Sequence, residues 1–593
     1  MAQYSKGDTP VAIADDQNLT SRLWERSAAG DARQILRWSV DGQWRGMDWP
    51  QLAARVRGVA AGLIALGIQP GDRVALMSNT RVEWTVADLA ILSAGAVTVP
   101  LYETSSVEQC AWILSDSGAK AAIVASADQA KQMDAAREGA ANQDDFGVFV
   151  LDDGGLDALA ERGDTNTAEQ VAQRVAATTS DDHASVIYTS GTTGNPKGCL
   201  LTHGNVLSTA RQTETIMPEL FGPDESTLMF LPLAHVFGRI GQFACLESNT
   251  ELGFARSVET LVDDLATFRP TFLLSVPRVF EKVFNAAQRK AEGPKRKVFD
   301  FAVATSREWA TAPHPGPVTN LKRAVADRLV YRKLRAALGG RVRYCVSGGA
   351  PLAEHLAHFF NAGGITLLEA YGLTETSAAS ALNSPSKRRL GTVGRPNAGS
   401  EFRVAADGEL LQRGPGVFTG YWKNPKATAE VLDDDGWFHT GDLGAIDDDG
   451  YIKITGRKKE IIVTAGGKNV APAVLEERLK SYRLVSQAVV VGDNRAFVAA
   501  LVTLEPDELA AFAKEHELSG SPAELAENQT VRAEVDKAVE HANQAVSKAE
   551  SIRKVAVLPR DFTIEHGEMT PTLKLKRSAI AEHFADEIEG LYR

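Results

Sequence analysis

Cysteine is scarce in this chain: there are four in 593 residues, Cys110, Cys199, Cys245 and Cys345, each tens of positions from the next. Without close CxxC pairs, neither a zinc knuckle nor a dithiol switch has its ligands. A reducing cytosol is the expected compartment. Long apolar runs are also missing. The longest, Leu89 to Leu101, falls short of the ~20 residues a bilayer span needs. The opening MAQYSKGDTP has no basic region followed by an apolar core, so no secretory leader is expected. The chain is expected to be soluble, with any membrane contact peripheral. Positive charge is in deficit, 64 Lys and Arg against 76 Asp and Glu, a net charge of -12. Such a field repels phosphate backbones, and nucleic acid drops out of the expected partners. Several catalytic signatures are absent as well. There is no HExxH and no GxGxxG, and the nearest approach to GxSxG, CVSGG at Cys345 to Gly349, fails at its first position. A zincin, a nucleotide-dependent dehydrogenase and a serine hydrolase each lack their usual mark.

What is present is globular composition, 44% hydrophobic and 24% charged, on a length that suggests several folding units at about 150 residues each. From Trp49 onward helical and strand patterns alternate. QLAARVRGVAAGLIALG is amphipathic and closes on a glycine, DRVALMSN reads as a short buried strand, and Ala121 to Val124 repeats the strand pattern. This alternation predicts α/β layers. Ser126 to Asp182 is polar and predicts surface helices and loops, and no internal repeat is found. The stretch from Arg289 to Asn320 is basic at its start and Pro/Gly-rich at its end, an excursion from the core. It reads as a solvated helix, with the cluster Lys290, Lys295, Arg296 and Lys297 offering peripheral contact with an anionic membrane as the second reading. Near Lys459 the pattern changes from short strands with Asp-Gly turns to one helix, a hairpin (SQAVVVGDNRAFVAALVTL) and a second helix carrying Val531, Val535, Val539 and Val546. Two domains are expected, 1–458 and 459–593.

The strongest local signal is YTSGTTGNPKG, Tyr188 to Gly198, directly after a strand-like SVIYT. Small residues let backbone N–H groups approach an anion. Thr189, Ser190, Thr192 and Thr193 add hydroxyls, Gly191 and Gly194 add freedom, and Lys197 supplies a point charge for phosphate oxygens. It is not a Walker loop, because Pro196 stands where glycine must precede the lysine.

Four further strings follow in order: YGLTET (Tyr371 to Thr376), TGD (Thr440 to Asp442), GRKKEIIVTAGGKNVAP (Gly456 to Pro472) and PTLKLKR (Pro571 to Arg577). Together with the phosphate loop they resemble the AMP-forming acyl-CoA synthetase family of adenylate-forming enzymes. The resemblance runs from about Trp49 to Arg577. It implies an α/β fold, with a large N-terminal domain of layered α/β subdomains and a small mobile α+β C-terminal lid. It also implies a two-step reaction in which ATP and a carboxylate give acyl-AMP, and a thiol then takes the acyl group. In that frame Thr189 to Gly194 and Lys197 bind the ATP phosphates, Glu375 holds Mg²⁺ and Thr374 donates to the α-phosphate. Gly349, Ala350, Tyr371 and Gly372 frame the adenine, while Asp442 and Arg457 hold the ribose. Lys574 matches the mobile catalytic lysine, although Leu573 replaces the glycine usual in that string. Lys459 takes the hinge position, and Gly466 the glycine beside the thiol channel. His235, in LPLAHVFGR, falls with Phe237 and Gly238 in the acyl-pocket region, where a lone histidine more often packs or hydrogen-bonds than catalyses.

The resemblance is strongest to bacterial long-chain fatty-acid-CoA ligases, on LPLAHVFGR, GGKNVAP and PTLKLKR. Gly238 follows Phe237 where amino-acid-activating relatives carry an aspartate, which weakens that reading. The expected activity is ligation of a long-chain fatty acid to CoA with ATP and Mg²⁺. The alternatives are a fatty acyl-AMP ligase loading a carrier protein, a medium-chain or aromatic acid-CoA ligase, and a non-catalytic scaffold. No oligomeric state follows from the sequence.

Overall fold

The computed structural model describes residues 3–138, 146–189, 195–291, 293–312, 314–570 and 574–593. Local signals act where the sequence puts them. The helix Trp49–Ala65 starts at Asp48, whose side chain accepts from the Gln51 backbone while Gln51 reaches back, and Pro50 fits its first turn. It stops as the chain turns through Gly67 at φ +95°, a conformation that costs glycine little. Its inward face, with Trp49, Leu52, Val56 and Leu63, is fully buried.

Two large sheets and one smaller sheet build the N-terminal part. The first has seven strands in the order Gly420–Tyr421, Lys197–Thr202, His183–Thr189, Val97–Leu101, Arg73–Met77, Ala121–Val124 and Gly147–Val150. It is parallel from His183–Thr189 to its last strand, and the hairpin across the phosphate loop makes its antiparallel end. The second has nine strands and runs parallel from Thr366–Tyr371 through Tyr344–Ser347, Phe272–Ser275, Ser226–Met229 and Glu251–Phe254 to Gln34–Val40. A single apolar cluster joins both sheets through the helices between them, including Trp49, Trp84, Phe243 and Phe272. The third sheet is antiparallel and contains Glu409–Arg413, Phe438–Ile446 and Ile452–Arg457. This is the α/β layering that the alternation predicts.

The smaller C-terminal part is α+β. The antiparallel hairpin Val485–Val491 and Val498–Leu504 gains Ile552–Val557 as a parallel third strand, with helices against it. Apolar clusters there begin at Ile462 and share no member with those that end at Ile454. One sequence expectation is corrected: the helix bearing Val531 and Val535 ends at Asn543, so Val546 packs from the loop beyond it. Of the Lys290 to Lys297 segment, Lys290 follows the helix Pro277–Arg289 and Lys295 to Lys297 begin the helix Pro294–Thr311.

Candidate active site

A cleft of about 3370 Å³ separates the two parts and is lined from both sides. Its N-terminal wall carries His235, Phe237, Gly238, Gly349, Ala350, Tyr371, Gly372, Asp442 and Arg457. Lys574 faces them from the C-terminal side.

Asp442 is placed by strand pairing. Phe438–Ile446 and Ile452–Arg457 run antiparallel with Asp442 opposite Arg457, and this register brings the Arg457 Nε to 3.0 Å from the carboxylate. The Tyr371 hydroxyl, at the end of the strand Thr366–Tyr371, donates to the other carboxylate oxygen at 2.6 Å. Asp442 is buried while Arg457 is about half-exposed, so one end of the pair is open to a ligand. Burial pushes the Asp442 carboxyl up, opposed by the Arg457 charge, the Tyr371 hydroxyl and the Lys574 ammonium. Burial, with the Asp442 charge second, raises the Tyr371 phenol, which stays a donor. The turn before Asp442 is fixed by Glu409, which accepts from the Gly441 N–H at 2.9 Å.

Glu375 sits in a short 3₁₀ turn, Thr374–Thr376, after Gly372. Gly372 has no room for a side chain, because a Cβ there would overlap the Ala378 carbonyl. The Glu375 carboxylate accepts from the Tyr421 hydroxyl at 2.9 Å, and the Lys197 ammonium lies over the same tyrosine ring, 5.1 Å from its centre. Tyr421 thus connects the lysine of the phosphate loop to the carboxylate. Sequence reasoning missed it; the Gly/Pro-rich string GPGVFTGYWKNP from Gly414 to Pro425 is the signal that marks it. Of the phosphate loop, Thr189 and Lys197 end the flanking strands, while Ser190, Gly191, Thr192, Thr193 and Gly194 lie outside the described residues.

His235 caps the helix Val236–Glu247, its Nδ1 accepting from the Phe237 N–H at 3.2 Å, which puts the ring proton on Nε2. Burial, with the Lys574 charge added, pushes its imidazole down to about 3, so it is neutral. The histidine therefore both caps a helix and walls the cleft. Gly238 is needed for packing, since a Cβ would come within 2.5 Å of the Pro232 carbonyl. Gly349 takes φ +83°.

From the C-terminal side, the Lys574 backbone closes its loop on Thr570, N–H to hydroxyl at 3.0 Å and carbonyl to N–H at 2.8 Å. Burial and the Arg457 charge push the ammonium below the usual lysine range, while Asp442 and Glu375 pull it back. The side chain is exposed on the cleft wall, and its charge is felt by the Asp442 and Glu375 carboxylates. Lys459 lies in the turn Lys458–Glu460 between neighbours pinned to opposite bodies. Lys458 bonds Glu409 at 3.0 Å and Asp407 at 2.6 Å, and Glu460 pairs with Arg577 at 3.4 Å. Gly466 is not brought to the cleft. It sits on the exposed turn between Ile462–Val463 and Asn469–Val470, where a Cβ would meet only the Thr464 hydroxyl at 3.9 Å.

The family model described as AMP-binding enzyme matches residues 24–422, and that of the AMP-binding enzyme C-terminal domain matches residues 459–593. The chain belongs to the AMP-binding enzyme family. It is 46% identical over 591 residues to the long-chain-fatty-acid–CoA ligase FadD15 of Mycobacterium tuberculosis, covering 98% of both chains. It is 32% identical to long-chain-fatty-acid–CoA ligase 5 of Mus musculus, over 88% of this chain and 80% of that one. Among solved structures, the anthranilate CoA ligase AuaEII in complex with anthranoyl-AMP superposes with a TM-score of 0.74 at 19% identity, covering 96% and 98% of the two chains. ATP-bound MatB from Rhodopseudomonas palustris gives 0.73 at 24%, covering 97% and 100%. These two share the fold, with its large N-terminal and smaller C-terminal domain.

Proposed function

We propose that this protein activates a long-chain fatty acid with ATP and joins it to CoA. The observation that carries the reading is the convergence of Lys574, Asp442, Arg457 and Tyr371 on one cleft between the domains, with the Glu375 carboxylate acting on the Lys574 charge. The full-length similarity to proteins named long-chain-fatty-acid–CoA ligases supports the choice of substrate.

In the first step a carboxylate oxygen of the fatty acid attacks the α-phosphorus of ATP, and the bond to pyrophosphate breaks, leaving acyl-AMP. Lys574 neutralises charge that develops on the phosphoryl oxygens, as a cation held ready on the cleft wall. Asp442 accepts from the ribose hydroxyls, with Arg457 donating to the same sugar. Gly349 and Ala350 present backbone to the adenine, Tyr371 and Gly372 border it, and Thr374 donates to the α-phosphate. Lys197 and the loop from Thr189 to Gly194 take the outer phosphates. Glu375 is a hard oxygen donor suited to Mg²⁺. Phosphate oxygens would complete the shell of a Mg²⁺ held at Glu375. Such a cation supplies charge neutralisation of the phosphates. In the second step the CoA thiolate attacks the acyl carbonyl and AMP leaves.

The domains divide at residues 1–458 and 459–593, with Lys459 as the pivot that exchanges one C-terminal face for another. Gly466 would then reach the thiol path only after rotation, which accounts for its place outside the cleft here. His235, Phe237 and Gly238 wall the acyl end.

The test is pyrophosphate release and product mass across saturated acids from eight to about eighteen carbons, with and without CoA. Burial at ~0.8 kcal/mol per CH₂ lowers KM with each added methylene until the acyl end of the cleft is filled. A CoA-dependent thioester with that trend supports the reading. Stable acyl-AMP unaffected by CoA supports a carrier-loading enzyme. Flat KM values, or a preference for acetate or benzoate, overturn the long-chain assignment.

A further inference from the structure

Among the described residues, large exposed apolar side chains gather most on one helix. Along the helix Pro317–Ala326 and the π-helical turn that continues it, Val318 is 66% exposed, Leu321 67%, Val325 44% and Leu329 46%. Their spacing of three or four residues puts them on one face. The opposite face already has its partners: Ala326, Tyr331 and Leu334 are buried in the cluster with Phe299 and Phe359, and the Tyr331 hydroxyl donates to the Ala302 carbonyl at 2.8 Å. Burial against this domain therefore does not explain the outer stripe. An apolar face of this length left uncovered on a folded chain marks a contact surface.

Charge identifies what covers it. Between Ala312 and Arg341 there are seven basic residues and one acidic, a local +6 in a chain of net -12. The one acid, Asp327, is occupied by Arg335 through contacts of 2.6 and 3.1 Å. Arg328, Arg332 and Lys333 lie on the exposed side and take part in no salt bridge among the described residues. A helix with an apolar stripe and free cations beside it matches a surface that offers hydrocarbon below and phosphate above. Position agrees with charge. This helix is fastened to its neighbour Pro294–Thr311 by Lys322 to Glu308 at 2.9 Å and Thr319 to Glu308 at 2.7 Å, and that neighbour lines the cleft with Val303, Ala304 and Thr311.

We propose that the segment from Pro317 to Lys333 docks the protein on an anionic lipid bilayer, with Val318, Leu321, Val325 and Leu329 entering the acyl boundary and Arg328, Arg332 and Lys333 meeting headgroup phosphates. Contact thereby moves away from the Lys290 to Lys297 stretch, where Arg296 is paired with Asp300 at 2.9 Å and Lys290, Lys295 and Lys297 lack a comparable apolar stripe. The inference gives the proposed ligase direct access to bilayer-borne acids, but its test reads membrane binding and not catalysis.

The experiment is flotation of the full chain with vesicles of phosphatidylcholine alone or mixed with phosphatidylglycerol, at low and high salt. The wild type is expected to float with the anionic vesicles, less so at high salt. Leu321→Asp with Leu329→Asp, and separately Arg328→Gln with Arg332→Gln and Lys333→Gln, are expected to lower partitioning about tenfold or more, the scale for losing several basic contacts near a membrane surface. Neutralising Lys290, Lys295 and Lys297 together is expected to leave most binding intact. Thermal unfolding of each variant reports its fold, and if the aspartate pair is misfolded the glutamine triple decides. A wild type that stays unbound overturns the proposal, as does equal flotation of well-folded stripe variants. A wild-type dimer that the aspartate pair makes monomeric, without vesicle binding by either, assigns the stripe to a second copy instead.

Discussion

Arg278 crosses between the domains to Glu505 at 2.6 Å, and the same guanidinium donates to the Ser486 hydroxyl at 3.1 Å. Arg278 lies in the first turn of the N-terminal-domain helix Pro277–Arg289, whereas Glu505 precedes the C-terminal helix Pro506–Glu515. A second bridge, Arg289 to Glu508 at 3.0 Å, reinforces the first. Both bridges accompany the arrangement in which Lys574 faces the cleft. Arg278→Gln or Glu505→Gln is expected to slow adenylation by about tenfold, corresponding to about 1.4 kcal/mol of lost docking, with less effect on thioester formation from supplied acyl-AMP. A double-mutant cycle on the two half-reactions checks it; equal loss in both would assign the pair to stability alone.

Lys574→Ala should remove adenylation by about 10²-fold or more while sparing thioester formation, the scale for deleting a preorganised charge from a developing anion. The pH profile gives an independent check. Burial and Arg457 lower the ammonium's pKa, and lysine is charged only below its pKa. Its charge is therefore lost at a lower pH than for an exposed lysine, and adenylation should decline early on the alkaline side. In Lys574→Arg the guanidinium stays charged, so whatever adenylation remains should lose that alkaline limb.

Lys459→Pro fixes φ and restricts the residue before it, between neighbours tied to different domains. The expected outcome is a larger loss in thioester transfer than in adenylation, measured separately, because the proposed rotation about Lys459 is what the variant would block. Untouched transfer would show that the pivot lies elsewhere.

Tyr421→Phe keeps the ring beneath the Lys197 ammonium and removes only the hydroxyl that Glu375 accepts. An orienting hydrogen bond to a carboxylate is worth about 1.5–3 kcal/mol, so a roughly tenfold or greater drop in adenylation is expected, together with a rise in the Mg²⁺ concentration needed for half-maximal rate. An unchanged Mg²⁺ dependence would limit Tyr421 to packing.

The sequence alone determined what local physics encodes. Alternating periods of about 3.6 and 2 predict α/β layers, and a capped apolar stripe becomes the helix Trp49–Ala65. Ordered strings name most of the cleft, down to Asp442 and Arg457, which one hairpin sets side by side. Tertiary structure decided the rest. Tyr421 meets Glu375 across 46 positions, and Arg278 meets Glu505 across 227, through strand order and domain docking that no local period records. Gly466, read from its string as a channel residue, lies on an outer turn because the domain's pose, not its sequence, sets which face meets the cleft. The stripe Val318, Leu321, Val325 and Leu329 has the spacing of a core face yet points outward. Periodicity specifies that a helix has an apolar side; what lies against that side is fixed by the surrounding packing, and only the folded chain shows this one exposed.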